Sequence, residues 1–212
     1  MKTLVACVLM VVAPAATARA QGLTGSVGAG AGSVRSRATL GTTTTSFSGA
    51  MIGGEGHAGI GRVSVEVAYL QGTLNPDSGS AESRDYVEGD FLLSVVTLPG
   101  VTLRVGPHAR AYISSGGTQR WLFWTGRVRG ERTLIAPAVS GFVEGWLAFS
   151  GDVNVSEAFD NARGAVVGLS VRLPGAPFYG KLSYGIERAR MGGGARLETV
   201  EGLSVIVGFG RR

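Results

Sequence analysis

Cysteine occurs once in these 212 residues, at Cys7, and lysine only twice, at Lys2 and Lys181. Histidine is limited to His57 and His108. The single cysteine lies in a leader-like segment, so the remainder holds no disulfide. It has to be stabilised by its core, a metal or a closed hydrogen-bond network. Two histidines without cysteine partners make a poor zinc set, and there is no P-loop or comparable phosphate motif, so neither metal nor cofactor is expected. Beyond the leader, no run reaches 18 consecutive apolar residues, which excludes a membrane-spanning helix. The net charge of +5 falls to +3 once Lys2 and Arg19 of the leader are removed. That is too small an excess to indicate nucleic acid as a partner.

Residues 1–20 have the layout of a secretory signal peptide: Lys2, an apolar run from Leu4 to Ala13, and the small-x-small site Ala18-Arg19-Ala20. Cleavage is expected before Gln21. Leu4-Val5-Ala6-Cys7 resembles a lipoprotein cleavage box, but no apolar stretch precedes it. The expected mature domain is residues 21–212.

Mean hydropathy is +0.23 despite the lack of long apolar runs. Apolar residues must therefore be spread by alternation. Val63, Val65, Val67 and Tyr69 alternate with Ser64, Glu66 and Ala68. The same period recurs in 101–113, 163–173, 178–188 and 203–209. A period of two means strands with one apolar and one polar face. Glycine, at 35 residues, is more than twice as abundant as the usual 7% or so.

Ten strands are expected, near 22–37, 47–60, 62–74, 86–98, 101–113, 121–132, 138–151, 163–173, 178–190 and 199–210, with eight as the nearest alternative. The connections are expected to alternate between short ones (59–62, 98–100, 173–177) and longer polar ones (39–46, 75–85, 114–120, 152–162, 191–198). Charges sit in mid-strand on the polar face. The 138–151 segment leaves its facing open. Pro107 lies within the fifth strand, where a bulge is expected. Trp121, Phe123 and Trp124 fall where an interfacial aromatic girdle is expected, with a lumen or loop cluster equally open for Trp121 and Phe123, which share the polar parity.

This pattern resembles the small OmpA/OmpX-like outer-membrane barrels. The resemblance implies an all-β, closed, antiparallel up-and-down barrel in the bacterial outer membrane, apolar face to lipid and polar face to the lumen. It also implies insertion by a barrel-assembly machinery that reads a terminal aromatic. Phe209 suits that role, although Gly-Arg-Arg follows it.

Strand parity places Glu55, Glu66, Glu88, Asp90, Glu131, Glu144 and Glu187 in the lumen, with Arg104, Arg110, Arg127, Arg129, Arg172 and Lys181. His57 and His108 share that face. Near-balanced charge favours a salt-bridged, structural interior, with a structural or surface-interaction role for the protein. The alternative is a narrow solute pore, which usually shows one dominant sign. A lipid-modifying enzyme is a third reading, but it needs a serine within reach of a histidine and an acid, and both histidines face inward, away from lipid chains. No enzyme activity is expected. At the outer rim, Arg35, Arg37, Arg188, Arg190 and Arg196 are expected to gather near the seam between first and last strands. There they would contact lipid head-groups, including lipopolysaccharide phosphates.

Overall fold

The computed structural model describes residues 22–79 and 81–211. The expected signal peptide and its cleavage site lie outside the described residues. Among the described residues ten strands form: β1 (Leu23–Leu40), β2 (Thr43–Ile60), β3 (Val63–Pro76), β4 (Arg84–Leu98), β5 (Val101–Ser114), β6 (Gly117–Ile135), β7 (Val139–Val153), β8 (Phe159–Arg172), β9 (Phe178–Met191) and β10 (Arg196–Arg211). Each pairs antiparallel with its chain neighbour, and β1 pairs with β10 from Gly25↔Arg211 to Leu40↔Arg196. The sheet is thus a closed up-and-down barrel, ten strands rather than eight.

Lipid-facing and lumen-facing residues separate as the alternation requires. Val63, Val67, Leu103, Val105, Leu147, Val167, Leu182, Val205 and Phe209 are exposed on the outer wall. Arg110, Arg127, Arg129, Glu144 and His108 are buried inside. A soluble barrel has the reverse arrangement. Strand β7 turns Phe142, Glu144 and Trp146 inward and Val143, Leu147 and Phe149 outward.

The strands run past their expected ends, and the long outer loops shrink. Only 41–42 and 115–116 join β1 to β2 and β5 to β6, while 77–83 and 154–158 remain longer. The expected contrast between short and long connections is therefore much weaker than the composition suggested. The polar Thr39–Ser46 segment is mostly strand because threonine suits extended backbone and a ladder above the bilayer needs no apolar face. A 15-residue strand tilted by some 40° rises about 40 Å, against an apolar band of about 25 Å. The sheet accordingly projects beyond the membrane.

One local expectation is corrected and one open alternative is decided. At Pro107 there is no bulge: Asp90↔His108 and Leu93↔Val105 keep one register, and the ladder simply lapses between them. Pro107 has no N–H to donate, and the freed Gly106 carbonyl accepts a hydrogen bond from Thr125 Oγ1 at 3.0 Å. Of the expected girdle, only Trp124 faces out. Trp121 and Phe123 share the opposite parity and are fully buried in the lumen.

Glycine abundance has a packing cause. Phe142 lies opposite Gly168 and Trp146 opposite Gly164 across the β7–β8 ladder. A β-carbon at Gly168 would sit 2.5 Å from the Phe142 ring, and one at Gly164 2.5 Å from the Trp146 ring. Each glycine leaves the place its neighbour's large ring occupies. At the Pro99-Gly100 turn, by contrast, the requirement is conformational: Gly100 has φ 76°, which suits the Pro-then-Gly order of a type II turn.

The outward apolar wall should make folding depend on an amphiphile. Mature protein is expected to refold in detergent or lipid and to migrate differently on a gel before and after boiling. Folded monomer that stays soluble without detergent would contradict this arrangement.

Candidate functional site in the lumen

Alternation along β3 to β7 delivers charged and aromatic side chains to one half of the lumen. The other half, from β8 through β10 and β1, offers mainly small groups such as Gly28, Gly30, Gly32, Ser183 and Ser204. On the charged side one chain of contacts climbs most of the barrel. Glu66 meets Arg104 at 3.0 Å, and Arg104 meets Glu144 at 2.6 Å. Glu144 lies 3.5 Å from Arg127, which pairs with Asp90. Asp90 holds His108 Nδ1 at 2.9 Å, and His108 Nε2 lies 3.4 Å from Glu187. Glu187 pairs with Arg110, and Arg110 reaches Glu198 at 3.6 Å. Glu198 accepts the Tyr112 hydroxyl, whose oxygen is 3.2 Å from Ser36 Oγ. Ser36 accepts from Arg84 at 3.2 Å.

Burial makes this chain energetically costly to interrupt. Arg110 is only 1% exposed, and its guanidinium lies 5.1 Å from the Trp121 ring and 5.6 Å from Tyr112. Arg84 is held between Phe47, at 3.9 Å, and Tyr112, at 4.1 Å. His108 is flanked by Phe123 and Trp146 at centroid distances of 6.0 and 5.9 Å. A buried charge needs a partner or water, and cationic guanidinium groups also gain from aromatic faces.

The remaining lumen residues fall outside this chain. Lys181 and the Tyr179 hydroxyl both engage Glu55 on the β2–β9 side. Glu88 accepts the Tyr86 hydroxyl. Arg129 stacks over Phe142 at 3.6 Å and meets Glu131 at 3.1 Å near the mouth on the side of the chain ends. Arg172 has lumen parity, but no ion pair forms to it among the described residues. His57 faces Ser26 and Glu66 in register, away from His108.

Sequence reasoning missed Arg84, Tyr86, Tyr112 and Glu198. Their signal was present: Arg84 and Tyr86 continue the parity of Glu88 and Asp90. Arg84 and Glu198 were lost because those strands were drawn to start at 86 and 199, whereas Tyr86 and Tyr112 lay inside the drawn strands but were passed over because only charged residues and histidines were taken as lumen candidates. Glu198, taken as a loop acid, is 2% exposed inside the barrel.

Glu88, Asp90 and His108 bring one ligand atom each within 4.8 Å of one another. Asp90 is already engaged by Arg127 and His108, and Arg110 stands nearby on Glu187. A divalent cation would enter beside these guanidinium groups, so the cluster suits arginine better than metal. Cavities of about 190 and 220 Å³ lie between the charged side and the small-residue wall, one of about 150 Å³ lies mainly against Glu66, Arg104, Arg127 and Glu144, and all three touch Asp90 and Ser183.

No protein-family model and no curated sequence matches the chain. Solved structures do match its fold. The outer membrane protease OmpT from Escherichia coli aligns over 90% of this chain and 96% of its own, at 10% identity and a TM-score of 0.52. The translocator domain of the autotransporter NalP from Neisseria meningitidis aligns over 89% and 88%, at 12% identity and a TM-score of 0.48. Ail of Yersinia pestis aligns over 89% and 99%, at 14% identity and a TM-score of 0.35. At such identities the likeness is one of fold. With the closed sheet and outward apolar wall, the OmpT alignment gives this chain the fold of the bacterial outer-membrane β-barrels.

The lumen chain should show strong coupling. Glu144→Gln leaves Arg104 and Arg127 under-paired and is expected to cost about 3 kcal/mol of unfolding free energy in detergent. Adding Arg104→Gln should cost much less than the sum of the two single changes. Additive losses in a double-mutant cycle would instead indicate a hydrated, weakly coupled interior.

Proposed function

We propose that this barrel is a non-enzymatic outer-membrane protein with a structural or surface-interaction role, and that its lumen is closed to ordinary solutes. The observation carrying this reading is the unbroken contact chain from Glu66 to Arg84, passing through the fully buried Arg110. A route for hydrated solutes would have to break several of these links. The mixture of signs also argues against charge selection, because a selective pore presents one dominant sign.

The histidine geometry supports the absence of hydrolytic chemistry. Both ring nitrogens of His108 face carboxylates, Asp90 and Glu187. A serine nucleophile needs one of those nitrogens for itself. Phe209, outward-facing and edge-on to Phe178 at 5.6 Å, supports recognition of the last strand by an assembly machinery.

The cavities beside Asp90 and Ser183 favour one second reading, a narrow path for water or small ions along the small-residue wall. Planar-bilayer recording separates the two. The wild-type barrel is expected to be silent. Arg104→Ala with Arg127→Ala and Glu144→Ala should open steady channels. Steady conductance from the wild type would favour the narrow pore over the closed lumen.

A further inference from the structure

We infer that the outer wall over β6 to β9 holds one phosphate-bearing membrane lipid, its phosphate on Arg163 and Arg188 and an acyl chain in the groove beneath. The two arginines face outward, exposed, directly opposite one another across the β8–β9 ladder. Arg190 follows one outward step further, near Asn161. Like charges placed directly opposite across a sheet repel. No carboxylate lies within ion-pair distance of these three among the described residues. The arginines at the β1 seam differ: Arg35 pairs with Asp77 at 3.1 Å and Arg37 with Glu201. Arg196 differs again, turning inward to Glu157 at 3.8 Å and the Trp121 ring. Head-group contact expected around the seam therefore moves along the wall to β8 and β9.

The position of the pair suits a lipid phosphate. Below it, outward pairs are apolar: Ala165 with Ile186, Val167 with Tyr184, and Leu169 with Leu182. The row containing it continues as Arg188↔Thr199 and Thr199↔Arg37, all polar. On β8 and β9, Arg163 and Arg188 thus end the apolar outward run on the side away from the chain ends, while on β7 the row continues as the exposed Leu147. Guanidinium groups bind phosphate through two parallel hydrogen bonds, and a shared dianion would relieve their mutual repulsion.

The groove supplies the second half of the site. It measures about 610 Å³ and is lined by Gly126, Val128, Gly145, Leu147, Ala165 and Ile186 together with Arg163 and Arg188; Glu187 also touches it, its carboxylate held by Arg110 in the lumen. Small residues at outward positions on β6, β7 and β8 leave a depression where neighbouring rows carry branched side chains. Added β-carbons at Gly126 and Gly145 would meet nothing within 4 Å, so the space is open rather than filled from within. Apolar lining beneath an unneutralised arginine pair complements a chain joined to a phosphate. It does not complement free phosphate or a neutral lipid.

Native mass spectrometry of the refolded mature barrel tests this, with dioleoyl phosphatidic acid and dioleoylglycerol as probes. The wild type should retain one phosphatidic acid, and at least tenfold more weakly the diacylglycerol. Arg163→Gln with Arg188→Gln should abolish that preference, while Arg35→Gln with Arg37→Gln leaves it intact. Gly145→Leu, which fills the groove from outside, should weaken retention of both lipids. Millimolar inorganic phosphate should not compete. Gel migration before and after boiling confirms that each variant is folded. Equal retention of phosphatidic acid by wild type and the Arg163/Arg188 variant would overturn the assignment. So would unchanged retention by Gly145→Leu, or displacement by inorganic phosphate.

Discussion

Inside a bilayer no water is available to satisfy a peptide N–H or carbonyl, and each one left unpaired costs several kcal/mol. Much else in this protein depends on that constraint. A sheet meets it only by closing on itself, which β1 and β10 do over sixteen consecutive residue pairs. Closure fixes which face each residue presents, because a one-residue slip would turn Val205, Val207 and Phe209 inward and expose the opposite set to lipid. Even the glycine-rich β1 is held in register, since both its edges are paired along nearly their whole length.

Closure also creates an interior that has to be filled. The hydrophobic effect contributes little to that choice, because lipid accepts apolar side chains as readily as a core does. Polar residues inside and apolar residues outside distinguish the two faces. Charges on the inner face then need partners, since each left alone in the narrow lumen carries a large desolvation cost. The chain from Glu66 to Arg84 meets that need with alternating signs, and aromatic rings close around the upper guanidinium groups. The opposite wall of glycine and serine leaves room for these long side chains to cross the lumen.

Outside, the same alternation produces a different chemistry. Where the wall crosses from hydrocarbon to head-group level, outward positions switch to Arg163, Arg188, Thr199 and Arg37. Some of these arginines have acids beside them and some do not. That difference, invisible along the chain, separates the arginines held in ion pairs from those with no carboxylate within ion-pair distance among the described residues.

Period-two alternation was enough by itself to point to the class, an all-β barrel with its apolar side out, but it left eight strands open beside ten, and only the closed ladder gives ten. Each strand advertises its two faces through nearest neighbours, and lipid forces closure on any such set. Parity likewise assigned Glu66, Asp90, Arg104, Arg110, Arg127, Glu144 and Glu187 to one side of the sheet. Strand ends were less legible, because above the bilayer the ladder persists without an apolar face, as at Thr39–Leu40 and Thr43–Ser46. That hid Arg84 and Glu198 from the inner set and left Arg196 among the rim arginines. Partners were not legible at all. Arg104 meets Glu144 from forty residues away, and Arg110 meets Glu187 and Glu198 across the lumen, because curvature and register of the closed sheet bring distant strands face to face. A sequence records the face of each residue locally; only the closed tertiary structure decides what stands opposite.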